Sequence, residues 1–124
     1  MAKFCYLNVN PDKVTINDCV TRAISLATGI PYPMIRKKLF HTAKLLNCEK
    51  LCVMCYKFLI EDVFKSKKVN CDNMYPADFA DINPKGTYLL RVNGHIMCLK
   101  DCCIYDIFDS RYMDKLTDAW KVKN

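Results

Sequence analysis

The chain has 124 residues, 52% hydrophobic and 26% charged, proportions that predict one folded domain over residues 1–124 rather than a disordered segment. The formal net charge of +6 is spread along the sequence, and its basic runs are not interleaved with aromatic residues, which argues against a nucleic-acid partner. No apolar run approaches the roughly 20 residues that span a bilayer, and the N-terminus lacks a secretion-signal pattern. We therefore expect a cytoplasmic protein with no membrane partner.

The N-terminal half is predicted to contain a short strand followed by helices. Asn17 or Asp18 can cap a helix whose apolar residues recur at helical spacing, and Gly29 ends it. Pro33 is suited to the start of a second, amphipathic helix. The pattern predicts an edge strand over residues 1–7, and helices over residues 18–28, from Pro33 onward, and over residues 48–64.

The C-terminal half changes from helical to strand periodicity. A single helical turn is predicted over residues 76–80. Antiparallel strands follow over residues 87–92, 95–99 and 104–108, with a final strand around residues 119–122. The chain therefore predicts an α+β fold, with N-terminal helices packed on a C-terminal antiparallel sheet.

Cys19 and His95 are the candidate nucleophile and base. A thiol at a helix N-terminus sees the positive end of the helix dipole and unpaired backbone N–H groups, which favour the thiolate and offer donors to an oxyanion. His95 opens a hydrophobic strand, where an imidazole could accept the proton from that thiol. The pair predicts a cysteine hydrolase.

An acidic residue is expected to orient the His95 ring. A tight hairpin centred on Asp101 and Cys102 places His95 opposite Phe108 or Asp109 and leaves Asp106 nearer the turn. We therefore favour Asp109 as the third catalytic residue. Asp106 is the alternative, because a slip of one residue reverses which aspartate faces the histidine.

Four stretches of the sequence resemble a known superfamily. They are residues 17–24, which read Asn-Asp-Cys-Val-Thr-Arg-Ala-Ile, and residues 84–89, 94–97 and 104–110. The order of cysteine at a helix start, histidine at a strand start and acidic residue on the next strand is that of the papain-like cysteine peptidases. The chain most resembles small phage and bacterial members related to the bacteriocin-leader-processing type. Residues 18–25 are also similar to the nucleophile region of ovarian-tumour-type deubiquitinases.

The resemblance implies a papain-like fold and a thiol peptidase or isopeptidase that requires no metal or organic cofactor. The small size of the chain favours a peptide or protein tail in a surface groove over an enclosed small molecule, and the sequence leaves the oligomeric state open. The chain departs from the family before the nucleophile, where papain-like peptidases commonly carry a glutamine. Lys13 and Val14 occupy that region, so Asn17 is the candidate side-chain donor of the oxyanion hole.

Two other hypotheses stand beside the hydrolase. One is a catalytically inactive papain-like protein that acts by binding, as an inhibitor or adaptor in phage–host interaction. The other is a zinc or nucleic-acid-binding module, with Cys48, Cys52 and Cys55 as ligands and Cys71 or His41 as the fourth. Against zinc, the first three cysteines are expected on one face of an apolar helix, where thiols pack as small hydrophobic groups. The nine cysteines are odd in number, which favours reduced thiols over a disulfide framework.

Overall fold

The computed structural model describes residues 1–13 and 17–122, which form four α-helices and a six-stranded mixed sheet. Helix α3 continues directly into a π-helical segment, Leu59–Val63. The helices are α1 Cys19–Thr28, α2 Tyr32–Leu46, α3 Val53–Phe58 and α4 Pro76–Ile82. The strands are β1 Lys3–Tyr6, β2 Lys67–Lys68, β3 Thr87–Val92, β4 His95–Lys100, β5 Cys103–Asp106 and β6 Asp118–Val122.

The α+β class is confirmed, but the expectation of a purely antiparallel sheet is wrong. The strand order is β1-β5-β4-β3-β6-β2, and β1 pairs with β5 in parallel. The helices lie between β1 and β5 in the chain, so no tight turn joins these two strands and a parallel pairing is accessible. The predicted hairpins of β3 with β4 and of β4 with β5 are present and are joined by two-residue turns.

Helices cover both faces of the sheet. The period of two along each strand sends alternate side chains to opposite sides. Leu89, Ile96 and Trp120 pack into the cluster that includes α1, α2 and α3. Leu90 and Met97 pack into a second cluster that includes α4. Helix α4 therefore lies on the opposite face from α1, α2 and α3, and it is a two-turn helix rather than the single turn predicted.

The third helix begins five residues later than predicted, at Val53. Asn47 has a left-handed backbone with φ of 53° and ends α2, so Cys48 lies in the connection between the helices. Cys52 has an extended backbone and stands at the N-cap of α3. The longest helix, α2, has 15 residues, and no helix within residues 1–13 and 17–122 is long and apolar enough to cross a membrane.

Two leucines of α2 provide a matched test of this packing. Leu39 is 1% exposed and Leu45 is 74% exposed. We expect Leu39→Ala to lower the free energy of unfolding by about 2–4 kcal/mol, because it leaves a cavity between α2 and its neighbours. Leu45→Ala should change it by less than about 0.5 kcal/mol. Urea denaturation measures both values, and equal effects of the two substitutions would contradict the placement of α2.

Candidate active site

Cys19 occupies the first position of α1, where backbone N–H groups have no partner within the helix. Asp18 stands at the N-cap but its side chain makes no capping hydrogen bond. Its carboxylate instead accepts hydrogen bonds from Arg22 Nε at 2.7 Å and from the Tyr32 hydroxyl at 2.9 Å. The buried Asp18 charge is therefore paired with Arg22, and the first-turn donors remain available to an anion at Cys19.

The Cys19 thiol and the His95 ring line the same cleft, and each shifts the pKa of the other. Burial by itself raises the pKa of Cys19, but the hydrogen bond with His95, the backbone N–H of Ile96 and the charges of His95 and Arg22 hold that pKa below its ordinary value of 9.0. Burial by itself lowers the pKa of His95, but the hydrogen bonds with Asp106 and Cys19 raise it from 6.5 to about 9. Both shifts favour a thiolate beside an imidazolium.

Asp106 is the carboxylate that orients His95. Its Oδ2 lies 2.6 Å from His95 Nε2, and both side chains are buried. Because a carboxylate accepts hydrogen bonds, this contact leaves Nδ1 of the ring for Cys19. Asp106 is itself fixed by the Ser110 hydroxyl at 2.8 Å and by the backbone N–H of Ile107 at 2.8 Å. The imidazole of His95 therefore lies between the Cys19 thiol and the Asp106 carboxylate, and these three residues are called the relay below.

The choice of Asp109 as the residue facing His95 is wrong, and the alternative, Asp106, holds that position. The β4–β5 pairing runs from Lys100↔Cys103 to Cys98↔Tyr105, and its continuation sets His95 opposite Phe108. The ring of Phe108 packs on the imidazole with centroids 4.9 Å apart. Asp106 is the diagonal neighbour of His95, within side-chain reach across the strands. Strand β5 ends at Asp106, and Asp109 lies beyond it, paired with Arg111 at 2.7 Å.

The sequence analysis did not identify Arg22 or Ser110 as part of this site, and it named Phe108 only as a possible neighbour of His95. Arg22 is buried between two carboxylates, with Nε 2.7 Å from Asp18 and Nη1 3.5 Å from Asp106. The spacing of four residues between Asp18 and Arg22 on a helix is the signal that could have identified that pair. Ser110 and Phe108 come from the turns after β5, where strand alternation no longer predicts direction.

A cleft of about 390 Å³ gives access to the pair. The exposed Asn17 lines this cleft beside Cys19, in the region expected for a second oxyanion donor. Val14, which the sequence analysis placed in the same region, lies outside the described residues. The cleft lies between the start of α1, the segment before and within α3, and the β3–β4 turn. Its lining residues are Asn17, Cys19, Val20, Leu51, Val53, Tyr56, Arg91, Asn93, Gly94, His95 and Ile96.

The candidate zinc ligands do not assemble into a metal site within the part of the chain that the structure describes. No group of three or more cysteine, histidine or acidic residues there is arranged to hold a metal ion. Cys55 is buried with its sulfur 3.5 Å from the carbonyl oxygen of Leu39, and Cys48 and Cys52, which lie ahead of α3, pack in the same cluster as Cys55. His41 is exposed on α2 and Cys71 is buried in the cluster that includes α4.

Comparison of the chain with protein-family models, curated proteins and solved structures finds no match. A functional proposal therefore has to rest on the residues and their geometry. The strongest feature is the relay of Cys19, His95 and Asp106 at one end of the cleft.

The two aspartates allow a matched test of the relay. We expect the His95 ring to titrate near 9, and Asp106→Asn to move that midpoint to about 6.5 or below, because the buried imidazolium loses its counter-charge. Asp109→Asn should leave the midpoint unchanged. NMR titration, with the resonance assigned by its loss in His95→Gln, measures the values. Equal shifts in the two aspartate variants would contradict the assignment.

Proposed function

We propose that the protein is a papain-like thiol hydrolase, a peptidase or isopeptidase, that acts on a peptide or protein tail. Cys19 is the nucleophile, His95 is the general base and acid, and Asp106 orients His95. The observation that supports this best is the position of Cys19 at the start of α1, on one cleft with an imidazole that is held by a buried carboxylate. These are the groups that acyl transfer through a thiol requires.

The proposed reaction has two halves. The Cys19 thiolate attacks the substrate carbonyl carbon, the S–C bond forms, and His95 gives its proton to the leaving amine as the C–N bond breaks. Water then attacks the thioester carbonyl carbon while His95 accepts its proton, and the C–S bond breaks to release the carboxylic acid and restore the Cys19 thiolate beside protonated His95. Asp106 keeps Nδ1 of the ring directed at the sulfur throughout.

Developing negative charge on the substrate oxygen needs donors near Cys19. The backbone N–H of Cys19 is one of the unpartnered groups at the start of α1. The exposed amide of Asn17 lies on the same cleft and is the proposed second donor. Because the Asp18 carboxylate is held by Arg22 and Tyr32, it does not occupy these donors.

A peptide substrate fits the shape and lining of the cleft better than an enclosed small molecule does. The rim carries partly exposed apolar side chains, Leu51 and Val53, which can pack on a substrate side chain. Gly94 at the β3–β4 turn has a φ of 80° and no atom within 4 Å of a Cβ placed there, so this wall has space for a chain that passes over the turn. An extended tail can therefore reach Cys19 from the surface.

Selective alkylation tests the activated thiol. Cys5 is exposed and Cys19 is half-buried, so accessibility alone predicts that Cys5 reacts first with iodoacetamide. We expect Cys19 to react about tenfold or more faster at neutral pH, because its lowered pKa increases the thiolate fraction. Mass-spectrometric mapping of the label after limited reaction measures both rates.

Two variants control this experiment. Asp106→Asn should slow alkylation of Cys19 and shift its pH profile upward, because a weaker imidazolium no longer stabilises the thiolate. Asp109→Asn should match the unaltered protein. Slow labelling of Cys19, no faster than that of Cys5, would contradict the hydrolase and favour the binding-only protein.

A further inference from the structure

Arg91 lies beside the proposed nucleophile without taking part in the relay. It is paired with Ile96 across β3 and β4, and the backbone N–H of Ile96 contacts the Cys19 thiol. Tyr56, whose hydroxyl is 2.8 Å from Arg91 Nε, lines the same cleft as Cys19; burial raises the pKa of this hydroxyl, and a thiolate at Cys19 raises it further. Arg91 and Cys19 therefore line the same cleft, with Arg91 on the strand next to Ile96.

The guanidinium of Arg91 is fixed on one side and open on the other. Its Nε donates to the Tyr56 hydroxyl, and its Nη1 donates to Thr117 and Asp118, each at 2.7 Å. Nη2 makes no hydrogen bond to any residue within 1–13 and 17–122. Every buried side-chain nitrogen in those ranges has a hydrogen-bond partner, so Nη2 is not buried and is accessible. Arg91 lines the cleft, and a guanidinium held in this way presents N–H donors suited to a carboxylate.

The charge around Arg91 is not cancelled by its partner. The buried carboxylate of Asp118 is shared with Lys68 at 2.8 Å and Lys57 at 3.6 Å. A second carboxylate, that of Glu61, accepts the Trp120 indole N–H at 2.8 Å. Three cations thus face two carboxylates, and none of the described residues lining the cleft is acidic. Of the side chains that line the cleft, Arg91 carries the positive charge that is not engaged by the Cys19–His95 pair, and it can bind an anionic ligand there.

We propose that Arg91 binds a carboxylate of the substrate beside the scissile bond, so that the enzyme selects peptides carrying an acidic group at that position. This inference rests on the proposed function, because it specifies the substrate class for the same cleft. Arg91 acts by binding and does not exchange protons or form bonds with the substrate.

Two alkylating reagents of similar size measure this preference. Iodoacetamide is neutral and iodoacetate carries a carboxylate, and the Cys19 thiolate displaces iodide from either one to form an S–C bond. We expect the iodoacetate-to-iodoacetamide rate ratio to be higher at Cys19 than at the exposed Cys5. The ratio at Cys19 should fall about three- to tenfold in Arg91→Gln and fall less in Arg91→Lys, which keeps the charge but not the fixed guanidinium donors.

The double variant Arg91→Gln/Asp118→Asn keeps the test possible if Arg91→Gln alone does not fold. Arg91→Gln leaves Asp118 with fewer partners, whereas the double variant removes both members of the buried pair. We expect the ratio to fall in the double variant as well. An unchanged ratio in a folded variant would overturn this inference while leaving the hydrolase intact. If iodoacetamide does not label Cys19 selectively, both proposals fail.

Bromoacetyl peptides then distinguish the source of the carboxylate. Bromoacetyl-glycyl-aspartyl amide presents a side-chain carboxylate, bromoacetyl-glycyl-asparagine presents a terminal one, and bromoacetyl-glycyl-asparaginyl amide presents neither. Faster alkylation of Cys19 by the first assigns an internal acidic residue, and faster alkylation by the second assigns a chain end. Equal rates for all three peptides would overturn the proposal.

Discussion

The buried hydrogen bond between His95 Nε2 and Asp106 Oδ2, at 2.6 Å, is the interaction on which the candidate site depends. It sets which ring nitrogen faces Cys19, and it keeps a proton on an imidazole that burial would otherwise deprotonate. Without that positive charge the Cys19 thiol, itself partly buried, would have a raised pKa and would be a poor nucleophile.

The surrounding fold holds this bond in place from two directions. Asp106 ends β5, and the turns that follow supply the Ser110 hydroxyl and the Phe108 ring. Helix α1 contributes Arg22, which contacts Asp106 and is paired with Asp18, the residue immediately before Cys19. The same helix therefore positions the thiol, leaves its own first-turn N–H groups open, and helps to fix the carboxylate behind the imidazole.

The sequence predicted the parts of the site that depend on local patterns. The position of Cys19 at a helix start and of His95 at a strand start followed from caps, periodicity and the Asn93-Gly94 turn. To choose between Asp106 and Asp109, one has to know that a side chain on β5 contacts its diagonal neighbour on β4, and that β5 ends at Asp106. The sequence pattern contains neither fact. Likewise, the parallel pairing of β1 with β5 joins segments about a hundred positions apart and has no turn signal between them. Arg91 was not identified because the residues that hold it, Tyr56 and Asp118, come from α3 and β6, which are distant in the sequence.

Acylation by p-nitrophenyl acetate is the most direct test of the central claim, that Cys19, His95 and Asp106 together perform acyl transfer. The account predicts a burst of about one p-nitrophenolate per chain, an acetyl group on Cys19, and steady turnover as water removes that group. Cys19→Ser and His95→Gln should abolish both phases. An absence of acylation at Cys19, or an acetyl group that water does not remove, would contradict the account.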